Sequence, residues 1–137
     1  MIKKACIVVV VIIATVGIYV MLNPSENYKS EEEYFRGIYS VIKDRSFDNG
    51  KFDNGELVLY NSSFDVLERI SVAENQSHKL VRIIKDTDAE QIYFIMGGAV
   101  DDQYGIVFTK GSSINMDGIH SLKRISGNSY YYASFVD

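Results

Sequence analysis

Tryptophan is absent from these 137 residues, proline and cysteine occur once each, and histidine only twice. Cys6 lies inside the apolar opening run, so the remainder of the chain has no disulfide to lean on. A core built from about a hundred residues can do without one, even outside the cytoplasm. His78 and His120 fall in predicted turns far apart in sequence, with no cysteine pair or H-E-x-x-H context. That spacing argues against a zinc site. Positive charge is scarce too: 14 bases stand against 18 acids. A domain of that sign does not attract nucleic acid or an anionic bilayer by charge alone.

Against these absences stands one long apolar segment. MIKK is followed by ACIVVVVIIATVGIYVML, residues Ala5 to Leu22, without a charge. As a helix this run reaches roughly 27 Å, enough for a hydrocarbon core. A cleaved signal peptide is the competing reading, but the run is longer than its usual apolar region. It also ends in Tyr19, Val20, Met21 and Leu22 rather than small residues. Residues 1–22 are therefore expected to be a cytoplasmic stub and signal anchor. Lys3 and Lys4 keep the amino terminus inside by the positive-inside rule. The exported part carries all 18 acids and the other 12 bases, a net charge of −6. Pro24 stops the helix, and residues 23–29 form a linker reaching at most about 25 Å.

The expected extracytoplasmic domain, residues 30–137, opens on SEEEYFRGIYSVIKDR. Ser30 and Glu33 have capping-box spacing, and acids crowd the first turn where the helix dipole favours them. Tyr34, Phe35, Ile38, Val41 and Ile42 recur at helical period, and Gly37 hints at close packing. FDNGKFDNG, Phe47 to Gly55, holds two Asn-Gly pairs too close together for two regular hairpins. It reads as an irregular connection, since it lacks the spacing and distal glutamate of a calcium loop. After Glu56 come ELVLY, VLERISV turning through AENQSH into KLVRIIK, a glycine-notched hairpin, and a closing hairpin. A short helix from Ser63 to Ile70, capped by Ser63, is the competing reading of that part. The predicted class is α+β: one amphipathic helix on an antiparallel meander of about six strands.

QIYFIMGGAVDDQYGIVFTKG, Gln91 to Gly111, is the most distinctive stretch. A two-residue turn at Asp101 and Asp102 would set Gly98 opposite Gly105 and Met96 opposite Val107. The glycine pair would leave a notch for an aromatic ring or a helix, with Gly37 supplying the other half. Read as chemistry, the two acids would be paired carboxylates, but neighbours on a strand point to opposite faces. No helix start follows the glycines to complete a phosphate cradle. Asp86, Asp88 and Glu90 would line one side of a strand at metal-like spacing, yet read better as a solvated turn. Ser112 and Ser113 have no G-x-S-x-G context. Nothing here marks a catalytic residue, a cofactor or a metal.

Across a Gly127–Asn128 turn, Ile125 would pair with Tyr130, Arg124 with Tyr131 and Lys123 with Tyr132. Tyr130 and Tyr132 would share a face, and with Lys123 they form the expected contact surface for a partner.

The pattern YFIMGGAVDDQYGIVF, with the later YYYASF, resembles a GG-x-x-D-x-x-YG motif of small bacterial membrane-anchored proteins of unknown function. The resemblance covers the last third of the chain and implies an exported α+β domain without a transferred catalytic residue. The expected role is a non-enzymatic interaction module at the outer face of a bacterial membrane, held by residues 5–22 and contacting a protein partner. The alternatives are a small-molecule sensor with its ligand between helix and sheet, or a hydrolase using Asp101 or the DTDAE acids.

Overall fold

A computed structural model describes residues 28–98, 102–111, 114 and 119–135. One helix, α1 (Lys29–Ile42), is followed by β1 (Asn49–Asp53), β2 (Glu56–Tyr60), β3 (Val66–Ile70) and β4 (Arg82–Asp86). Then come β5 (Gln91–Gly98), β6 (Asp102–Thr109), β7 (Ile119–Ser126) and β8 (Ser129–Phe135). All eight strands join one antiparallel sheet in the order β3-β2-β1-β4-β5-β6-β8-β7.

This corrects the expectation of about six strands in a meander. The added strand is β1, drawn from the segment read as irregular. Only the second Asn-Gly pair turns the chain: Asn54 and Gly55 both have positive φ, at 52° and 79°, between the paired Asp53 and Glu56. Such left-handed pairs match the twist of a hairpin, so Asn49 and Gly50 are free to extend β1. The AENQSH segment closes no hairpin either, because β3 pairs with β2 while β4 crosses to β1. The short helix at Ser63 does not form; β3 occupies that stretch. No helix among the described residues is long and apolar enough to cross a membrane. The predicted span, residues 5–22, lies outside the described residues.

α1 packs on one face of the sheet through rings. Phe35 stacks on Phe94 with centroids 5.0 Å apart, and Tyr39 stacks on Phe108 at 4.7 Å. Phe94 and Phe108 meet edge to face at 5.3 Å. Ile38, Ile42, Leu57, Leu59, Ile83 and Ile106 complete this buried layer. Each such side chain contributes about 1.5–3 kcal/mol on leaving water. The helix starts earlier than its capping-box spacing suggested. Tyr28 is the N-cap, without a side-chain cap, and its ring stacks on Tyr131 of β8 at 4.6 Å. Gly37 is exposed with nothing within 4 Å of a built Cβ, so it makes no close approach to the sheet.

One acid of the first turn is drawn inward. Glu32 is 3% exposed and accepts hydrogen bonds from Arg36 Nε at 2.7 Å and Ser129 Oγ at 3.0 Å. Arg36 also donates to Asn128 Oδ1 at 3.0 Å and lies over the Phe108 ring. Helix, β8 and the β7–β8 turn are thereby bolted together by a charge pair buried on its Glu32 side. Periodicity does not reveal this role, because Glu32 sits among identical neighbours.

The Tyr28–Tyr131 stack has a consequence at high pH. Burial, then the negative charge and hydrogen bond of Tyr28, push the Tyr131 phenol up to about 12 from an ordinary 10.0. A raised folded-state value means the stabilisation is complete below pH 10 and disappears as pH rises towards 12. Urea unfolding across that window is expected to show a decline that Tyr131→Phe makes shallower. An unchanged slope in Tyr131→Phe would assign the decline elsewhere.

Candidate functional site

The glycine-notched hairpin shows how this sheet makes room for rings. Asp102, expected in a two-residue turn, already belongs to β6, so Gly98 faces Gln103. A bulge between Ile95 and Gly97 shifts the register once more, so Gly105 faces Ile95. Gly98 and Gly105 are therefore not brought together. Tyr104 closes over Gly97 instead, where an added Cβ would lie 2.6 Å from its phenol oxygen. On the face away from α1, Tyr132 of β8 meets Tyr93 of β5 edge to face at 5.1 Å. β6 separates those strands, and the rings can touch because Gly105, the partner of Tyr132, has no side chain between them. Ala99 to Asp101 lie outside the described residues, as do Ser112 and Ser113.

The expected contact surface is divided by a second bulge. Between Arg124 and Ser126 the β7–β8 register shifts by one, so Arg124 pairs with Tyr130, Lys123 with Tyr131 and Leu122 with Tyr132. Lys123 thus shares the helix-side face with Tyr131, while Tyr130 and Tyr132 point the other way. Tyr132 is only 2% exposed and serves as packing. Burial and the neighbouring Tyr93 raise its ionisation.

His78 lands against α1. Its ring stacks on Tyr34 at 5.2 Å, its Nε2 lies 3.5 Å from Ser30 Oγ, and its Nδ1 lies 3.5 Å from Glu31 Oε1. Nδ1 nevertheless has no hydrogen-bond partner among the described residues, so the approach to Glu31 is close but poorly aimed. Tyr34 Oη donates to Ala73 O and accepts from Asn75 N, which pins the same loop to the helix. Asp86 caps the β4–β5 turn through Ala89 N at 3.1 Å.

A different surface has the composition of a recognition site. On the face away from α1, Asn49, Lys51, Tyr60, Phe64, Val81 and Arg82 line a groove of about 470 Å³. That volume lies within the range of ligand and peptide sites. Phe64 is 66% exposed and Val81 is also exposed. Phe64 holds a φ of 62°, a left-handed conformation that costs a non-glycine residue about 1–2 kcal/mol. Its loop is held around Asn61. The Asn61 side chain accepts from Ser63 N and Asp65 N, at 3.0 and 2.9 Å, and its backbone oxygen accepts from Phe64 N at 3.0 Å. A polar frame therefore presents an apolar ring to solvent.

Two cations stand beside that ring. Asn49 pairs with Ile84 and Gly50 with Ile83, and Lys51 and Arg82, one residue further along each strand, line the same groove. Lys51 Nζ lies 5.7 Å from the centre of the Tyr60 ring, and the Arg82 side chain has no hydrogen bond or ion pair among the described residues. By contrast, the helix–sheet interface is filled by the stacked rings of Phe35, Tyr39, Phe94 and Phe108.

Comparison of the chain with protein-family models, with curated proteins and with solved structures finds no match.

Proposed function

We propose that this chain is a non-enzymatic interaction module at the extracytoplasmic face of a bacterial cell membrane, recognising a protein partner through the Phe64 groove. The charge-free run Ala5–Leu22 behind Lys3 and Lys4 supports the location. The observation that carries the recognition reading is Phe64 itself, exposed, backbone-strained and in one groove with two cations that have no ion pair among the described residues. Aromatic residues and arginine dominate the energetics of protein contacts, and strain of this kind gathers at binding sites. The partner segment joins an acidic residue, answering Lys51 and Arg82, to an apolar side chain resting on Tyr60, Phe64 and Val81.

A random peptide library presented to the full-length protein in nonionic detergent tests this. Wild type is expected to enrich segments that place Asp or Glu next to an apolar residue, and Arg82→Glu to reverse the charge preference. Enrichment indifferent to Arg82→Glu would remove the groove from consideration. Phe64→Gly separates binding from folding. It is expected to abolish selection while stability holds or rises by about 1 kcal/mol, because glycine accepts positive φ without strain.

A further inference from the structure

At the opposite face, below the C-terminal end of α1, a cavity of about 130 Å³ gathers lysines from three elements. Lys43 follows the last turn of α1, Lys85 belongs to β4, and Lys110 follows β6. Tyr39, Thr87 and Glu90 share the lining and Asp44 stands beside Lys110, so three lysines meet two carboxylates and two hydroxyl-bearing residues. This concentration is unexpected in a chain whose acids outnumber its bases.

The surrounding groups neutralise only part of the charge. Lys85 Nζ donates to the backbone oxygens of Lys43 and Arg45 and lies 5.1 Å from the centre of the Phe47 ring. Those oxygens carry partial charges only. Lys110 Nζ reaches Asp44 at 2.9 Å, but that side chain is 75% exposed and can be exchanged at little cost. Lys43 has no side-chain hydrogen bond or ion pair among the described residues. Burial, then repulsion from Lys110, lower the Lys85 ammonium below its ordinary value, whereas the Asp44 carboxylate raises that of Lys110. The charge left without a carboxylate therefore sits on the Lys43 and Lys85 side of the cavity. The volume equals roughly four waters, enough for one compact oxyanion and well short of a nucleotide.

We propose that this cavity binds a phosphate group, with Lys43 and Lys110 as its charged ligands and the Tyr39 and Thr87 hydroxyls as donors. Inorganic phosphate and the headgroup of an anionic phospholipid both present that chemistry. Thermal unfolding of the full-length protein in nonionic detergent, at constant ionic strength set with chloride, supplies the test. Inorganic phosphate is expected to raise the midpoint by a few degrees in a saturating manner, and Lys43→Gln to weaken that binding at least fivefold. Phosphatidylglycerol in mixed micelles, compared with phosphatidylcholine, reads the lipid source: a rise there without one from free phosphate assigns the headgroup. Absence of a saturable rise with either probe overturns the proposal, as does a rise that Lys43→Gln leaves intact. Lys110→Gln is expected to weaken phosphate binding likewise, and because the side chain's one partner among the described residues is the exposed Asp44 carboxylate, its loss does not threaten the fold.

Discussion

Gly105→Ala is expected to destabilise the domain by about 3 kcal/mol or more, the upper range for overpacking a close-packed site. A Cβ at Gly105 would sit 1.9 Å from the carbonyl oxygen of Phe94 and 3.0 Å from its carbon. Those are backbone atoms of the neighbouring strand, so no rotamer change relieves the clash. β5 would have to move, and Phe94 carries the stack on Phe35 at the centre of the core. In a domain of about a hundred residues the melting temperature should fall by roughly 12–24 °C. Thermal unfolding followed by circular dichroism measures it, and a loss below about 1 kcal/mol would mean that β5 and β6 are not apposed as described.

The second large effect concerns the buried acid of α1. Arg36→Ala removes the cation that answers Glu32, together with the bond to Asn128 and the cover over Phe108. Breaking a fully buried pair by deleting one partner costs about 3–5 kcal/mol, because the other charge remains in a poor solvent. Arg36 is itself over a third exposed, so screening reduces the expected loss to about 2 kcal/mol. The double variant Glu32→Gln/Arg36→Ala is expected to recover part of it, since no unpaired charge then remains. Denaturant unfolding of both variants decides. A double variant no better than Arg36→Ala would show that packing over Phe108, rather than charge, is what Arg36 supplies.

Those two sites differ in how far the sequence disclosed them. The apolar face of α1 was legible because Phe35, Ile38 and Ile42 recur at 3.6-residue period, and all three are buried. The Gly127–Asn128 turn was legible from turn chemistry alone, and it closes β7 onto β8. Register was not, because each bulge adds one residue that a period-two count cannot see. The β7–β8 bulge reassigned Lys123 and Tyr132; Gly98 and Gly105 were reassigned mainly because Asp102, expected in the turn, already belongs to β6. β1 was hidden for another reason: Asn49 and Gly50 form a turn dipeptide, and only pairing with both β2 and β4 makes them extended.

The groove was hidden by topology. Lys51, Tyr60 and Arg82 become neighbours only because β4 skips β3 to pair with β1. A local signal did exist in NSSFD, where one aromatic residue stands in an otherwise polar turn. Phe64 there has no periodic partner on either side; a lone exposed ring is ordinary, and it becomes a candidate contact because Tyr60 and Val81 line the same groove.

The position of β8 between β6 and β7 bears on how this chain reaches its native state. A growing or translocating polypeptide delivers β6 first, then β7, and only afterwards the strand that belongs between them. Until that insertion, the amide row of β6 is a vacant template open to any extended chain nearby. Cooperative closure must therefore wait for a late, non-local step, and such steps are slow. The hazard falls in the interval before closure, so crowding by other emerging chains should limit the yield of this protein more than the strength of its finished core.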